Sequence, residues 1–156
     1  MGMVVQLYAV NAADIDALAA EPERIVALLE GDEPSAYLDK AWHALHYLLT
    51  GTAWGGEPPL NLLLAPGNPV GEDLGMGPGR AFSPAEVKAF ADALESMTAE
   101  ALMSRFDGEA MNREQVYPEI WDEPDIGDYV THHFNVLRQY VIEARNANRP
   151  IIVVMT

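Results

Sequence analysis

Cysteine is absent from this chain. Its absence excludes disulfides, thiolate nucleophiles and cysteine-ligated zinc. Basic residues are scarce: nine lysines and arginines stand against 24 acids, for a formal net charge of -15. Such a surface repels a phosphate backbone, which argues against general nucleic-acid binding, and it disfavours an anionic membrane surface for the same reason. No run of about 18 apolar residues occurs that could span a bilayer. The opening Met1-Gly2-Met3 segment lacks the positive stretch of a secretory signal, and no myristoylation pattern follows it. These absences predict a cytoplasmic protein with no membrane partner. The same acidity would attract a basic protein and speed its approach.

What is present reads as an ordinary folded chain. Hydrophobic residues make up 49% and charged residues 21%, a globular composition. With 156 residues, one domain over 1–156 can bury a proper core. Residues 3–10 are β-branched and aromatic enough for a strand. Asn11 can cap a helix running to about Ala20. Pro22 then opens a second, with Ile25, Val26, Leu28 and Leu29 before Gly31. Ser83-Pro84-Ala85-Glu86 is a capping box with proline at the first helical position. Thr98 opens a short helix, and residues 109–113 offer another. The longest helix spans about Ile126 to Asn146, with Asn148 in the left-handed position that ends it. Pro150 leads into Ile151-Ile152-Val153-Val154, a strand buried on both faces that should pair with the N-terminal one. Many helices, a small sheet and no repeating βα unit predict an α+β fold in which helices dominate.

Residues 52–80 differ in texture, with seven glycines and five prolines. Only Leu60 to Ala65 suggests a helical turn or two, and its leucines need burial. Long irregular segments in compact domains often carry function.

Side-chain chemistry concentrates between Asp39 and Gly51. A helix capped by Ser35 and running to Thr50 would place Leu38, Trp42, Leu45 and Leu49 on a core stripe. Asp39, His43, His46 and Thr50 would share a second, narrow stripe, with Lys40 and Tyr47 beyond it. Imidazoles spaced in this way can converge on an ion, but one straight helix cannot wrap a metal with ligands at i, i+4 and i+7, and no HExxH motif occurs. No metal and no cofactor are expected. The remaining catalytic option is a single histidine oriented by a carboxylate. The structural alternative has His46 bonded to a backbone carbonyl and His43 facing solvent. His132 and His133 point about 100° apart on a helix, one inside and one outside.

Other segments carry weaker signals. Gly75-Met76-Gly77-Pro78-Gly79-Arg80 looks like a phosphate cradle, but no GK[ST] follows and Glu72 and Asp73 would repel an anion. Arg80 is better read as half of a structural ion pair. The acids from Glu119 to Asp128 lack the spacing and glycine of a calcium loop. That segment reads as a solvated acidic loop, with a protein-contact patch as the alternative if Tyr117 and Trp121 are exposed among the acids. No G-x-S-x-G nucleophile elbow is present.

Met1-Gly2-Met3, the segment Asp39-Lys40-x-Trp42-x-x-Leu45-His46-x-x-Leu49-Thr50-Gly51, and Tyr117-Pro118 together resemble the YfbM-like bacterial family, a domain of unknown function that fills a small protein end to end. The resemblance implies a bacterial, single-domain α+β protein and assigns no catalytic residue. The matching positions are Asp39, Lys40, Trp42, His46, Thr50 and Gly51; His43 is not part of the family pattern, which leaves Lys40 and His46 as the polar motif members to test.

Two functions are carried forward. The first is a non-enzymatic module that binds a protein partner, for example by neutralising a basic protein. The second is a small-molecule hydrolase or transferase with His46 as base and Asp39 or Lys40 setting its protonation. A concave pocket joining His46, Tyr117 and Arg80 would favour the enzyme.

Overall fold

The C-terminal strand is the centre of the molecule, as its unbroken apolar run requires. In the computed structural model, which describes residues 2–156, five strands form one antiparallel sheet. They are β1 (Val5–Ala9), β2 (Ala36–Tyr37), β3 (Asn68–Val70), β4 (Gly79–Phe82) and β5 (Ile151–Met155), in the order β2-β1-β5-β4-β3. β1 and β5 pair along their whole length, from Val5 opposite Met155 to Ala9 opposite Ile151. Period-2 alternation then splits the strand residues between two cores. Val5, Leu7, Ile151 and Val153 join the larger one, whereas Tyr8, Val10, Ile152 and Val154 join the smaller.

Helices cover both faces. On the smaller core lie α1 (Ala12–Ala20) and α2 (Ile25–Glu30), which supply Leu18 and Ile25. The larger core is built from α3 (Trp42–Thr50), α4 (Pro84–Glu95), α5 (Ala99–Met103), α6 (Gly108–Arg113) and α7 (Ile126–Asn146). Local signals set several of these ends. Ser83 Oγ accepts from Glu86 N–H at 3.2 Å, and Glu86 Oε1 accepts from Ser83 N–H at 3.0 Å, closing the capping box of α4. Thr98 and Asp107 cap α5 and α6 from one side only, accepting from the N–H groups of Ala101 and Ala110. Asn148 adopts φ 53°, the left-handed turn after α7. The fold is α+β and helix-dominated, with the terminal strands paired. No helix among the described residues is long and apolar enough to cross a membrane.

The central helix departs from the sequence expectation. It begins at Trp42, not after Ser35. The intervening residues extend the sheet: Leu38 N–H donates to the Val5 carbonyl at 2.9 Å, and Val5 N–H donates to the Asp39 carbonyl. Asp39 then turns the chain at φ 49°. The 52–80 segment also holds more order than expected, because β3 and β4 lie in its second half. Leu62 and Leu63 are buried there, and Leu60 and Leu64 pack partly buried against the larger core.

Candidate functional site

The two histidines of α3 face the loop that follows it. Gly51 ends the helix at φ 82°, with its N–H on the Tyr47 carbonyl at 2.7 Å. Only glycine takes that backbone conformation without strain. The chain then doubles back over α3. His43 Nε2 lies 2.7 Å from the Ala53 carbonyl, and His46 Nε2 lies 2.8 Å from the Gly55 carbonyl. Both imidazoles are fully buried. Their two anchor points flank a single residue, Trp54, which is 66% exposed. The Trp54 ring rests on the His43 ring with centroids 4.4 Å apart. Thr50 braces the same turn: its hydroxyl sits 2.8 Å from the His46 carbonyl and accepts from Thr52 N–H at 3.3 Å. An exposed indole is thus held from below by two sealed histidines.

The hydrogen bonds fix the protonation of His43. Tyr117 N–H donates to His43 Nδ1 at 2.7 Å, so that nitrogen carries a lone pair. The proton must sit on Nε2, which donates to Ala53. A second proton would break the bond to Tyr117. For His46, Nε2 is again the donor, and Nδ1 is buried with no partner among the described residues. Burial pushes the pKa of both rings down, and the carbonyls of Ala53 and Gly55 only partly offset it. Both are neutral structural donors.

A second cluster gathers the polar motif residue Asp39. Its carboxylate accepts from the Tyr129 hydroxyl at 2.6 Å and from the Tyr37 hydroxyl at 3.3 Å. Lys40 N–H donates to the Tyr129 oxygen at 3.1 Å. Burial opposes ionisation of Asp39, but these bonds outweigh it and hold the carboxyl below its usual range. Tyr129 is correspondingly raised, first by burial and then by its bond to the carboxylate. His133 packs edge-on against Tyr129 with centroids 4.7 Å apart, and burial lowers its pKa. His132 is exposed, as the helix geometry predicted.

The remaining predicted residues make contacts within the fold. Trp42 is buried, and its Nε1–H donates to the Met3 carbonyl at 2.9 Å, pinning the N-terminal segment. Its ring stacks between His43 and Tyr117. The Tyr117 hydroxyl accepts from Met3 N–H at 2.9 Å. Three expectations are overturned. His43 is buried, not solvent-facing. Trp121 is 1% exposed, with Nε1–H on the Val116 carbonyl at 2.7 Å, so it anchors the acidic loop inward and contributes nothing to a surface patch. Arg80 forms no ion pair with the described residues and instead donates to the carbonyls of Ala65 and Leu63 at 2.6 and 2.8 Å. None of three clefts on the described residues is lined by His46, Tyr117 or Arg80. No group of three or more His, Asp or Glu side chains among the described residues could hold a metal ion.

Trp54 was not singled out from the sequence. Its signal is weak but readable: a large aromatic beside Gly55 and Gly56, just past a helix stop, with no apolar periodicity to bury it.

Comparison with known proteins now adds the family. A domain of unknown function (DUF1877) matches residues 1–154. The chain belongs to this family. Among solved structures, it is similar to YfbM from Escherichia coli, a protein of unknown function. That match has a TM-score of 0.72 at 20% identity and covers 98% of this chain and 99% of that one. At this identity the likeness concerns the fold alone. No curated protein matches the chain. The family assignment agrees with the resemblance of the Asp39–Gly51 motif, and the roles of its residues here come from the contacts above.

Proposed function

We propose that this protein is a non-catalytic binding module that recognises a basic protein partner through a surface centred on Trp54. The observation that carries the reading is the double anchoring of the Trp54 loop by His43 and His46. An exposed aromatic held rigidly loses little conformational freedom on binding, which is what an interface anchor needs. The net charge of -15 supplies attraction and rapid approach for a cationic partner. Neutralisation of a basic protein is the concrete form of this function.

The hydrolase or transferase reading gains no support at His46. A general base needs an accessible lone pair within reach of a substrate proton. His46 has no exposed surface, and its free nitrogen faces the interior.

The test uses the full chain as bait, at low and at high salt, beside the Trp54→Ala variant. A partner retained at low salt, released at high salt and lost with Trp54→Ala supports the reading. Retention unaffected by the variant, or no retention at low salt, overturns it.

A further inference from the structure

A cleft lies away from α3, on the face of the sheet covered by α1 and α2. It has a volume of about 520 Å³, within the ordinary range for small-molecule sites. Part of its lining is apolar: Val10 and Leu18 are buried, Leu28 and Ala17 lie beside them, and Tyr8 and Asn11 add polar groups. Its rim is charged. Arg24 and Arg149 stand there with Glu33 and Asp14.

The rim charges are not equally free. Asp14 is occupied, since its carboxylate accepts from Asn11 N–H at 2.9 Å at the start of α1. Arg24 makes only a long 3.8 Å contact with Glu21, both side chains being well exposed. Arg149 and Glu33 form no ion pair with any described residue. Elsewhere the few basic residues are largely committed: Arg80, Arg105 and Arg138 to backbone carbonyls, Arg145 and Lys88 to carboxylates. One unpaired guanidinium, one only loosely paired, and one unpaired carboxylate therefore stand around a partly apolar cleft.

A plain organic anion would suit the guanidiniums but would be repelled by the -15 field of the molecule. A molecule with both charges and no net charge escapes that repulsion and matches both signs on the rim. We propose that this cleft binds a small zwitterion with an apolar body, the chemistry of apolar α-amino acids and short apolar peptides. Its carboxylate would meet Arg149 and Arg24, where the planar guanidinium can bind both oxygens. Its ammonium would meet Glu33, and its side chains would lie on Val10, Leu18 and Leu28. This site is separate from Trp54.

The experiment is a titration of the labelled full chain, read by amide NMR, with leucine, leucyl-leucine, N-acetyl-leucyl-leucine and leucyl-leucine amide. Saturable shifts at Val10, Asn11, Leu28 and Arg149 are expected with leucyl-leucine, with leucine binding more weakly because it covers less of the apolar lining. Blocking either end should weaken binding about tenfold, the value of one lost charge-assisted contact. Arg149→Gln and Glu33→Gln should do the same, while Trp54→Ala leaves the shifts unchanged. Both rim residues are exposed, and the same spectra confirm that the variants fold. The proposal is overturned if no saturable shift occurs up to about 10 mM, well past the weakest useful affinity. It is equally overturned if the acetylated peptide binds as well as the free one, or if Arg149→Gln binds leucyl-leucine as tightly as the parent.

Discussion

The His43 ring lies 4.4 Å from the Trp54 ring, one sealed and the other open to solvent. This contact divides stability from recognition. His43→Ala leaves the Ala53 carbonyl and the Tyr117 N–H without their partner and opens a cavity, so a loss of about 2–4 kcal/mol is expected. Trp54→Ala removes a mostly exposed side chain and should change stability by less than about 1 kcal/mol. Urea unfolding followed by far-UV circular dichroism separates the two. Equal losses would mean that Trp54 serves the fold and not a partner.

The buried imidazoles also predict a pH dependence. His43, His46 and His133 all have pKa values lowered by burial, so the fold prefers them neutral. Unfolded histidine titrates near about 6.5. As pH falls through that value the unfolded chain takes up protons that the folded chain refuses, and stability drops. The contribution is complete above about pH 7. Below about 6.5 it is lost, by up to about 1.4 kcal/mol per pH unit for each histidine. Carboxylates in the unfolded chain titrate near about 4, so relief of acidic repulsion hardly intrudes above about pH 5.5. Chemical unfolding at several pH values between about 7.5 and 5.5 provides the check. A flat or rising stability across that window would contradict the neutral assignment.

Local signals were legible in the sequence, whereas contacts made across the fold were not. Ser83 and Glu86 cap α4 through bonds three residues apart, and the run from Ile151 to Val154 could only be a two-sided strand. The start of α3 was misplaced because Ser35 resembles a cap, while the competing demand comes from Val5, far away in sequence, which pairs with Leu38 and Asp39. β3 was hidden by Pro69, tolerated because the strand lies at the sheet edge. The spacing of His43 and His46 correctly put both on one side of α3. It could not say that the loop would fold back and cover them, since that depends on Gly51 turning the chain.

Asp39 joins an electrostatic and a backbone effect that two substitutions can separate. Its carboxylate holds the Tyr129 hydroxyl at 2.6 Å, and its backbone sits at φ 49°. Asp39→Ala loses the charge-assisted bond and keeps the left-handed strain. Asp39→Gly loses the same bond but relieves the strain, so it should be more stable than the alanine variant by about 1 kcal/mol. In both, Tyr129 should ionise at lower pH than in the parent, which ultraviolet titration of tyrosinate can follow. An unchanged titration would separate Tyr129 from the carboxylate.

Arg80 gives the sharpest contrast between charge and shape. Its guanidinium donates from two nitrogens to the carbonyls of Ala65 and Leu63, tying the turns that follow the Trp54 loop to β4. Burial lowers its pKa, and no described carboxylate answers its charge. What holds it is the match between a planar fork and two carbonyl dipoles. Arg80→Lys preserves the charge but presents a compact ammonium that cannot reproduce the fork. A loss of about 1–3 kcal/mol is expected, the cost of leaving a buried acceptor unpaired. The damage should be local: amide exchange should quicken at Leu64 and Ala65, whose N–H groups close the turns on Asn61, and stay slow in α7. Wild-type protection at those two amides in the lysine variant would show that charge alone positions the segment.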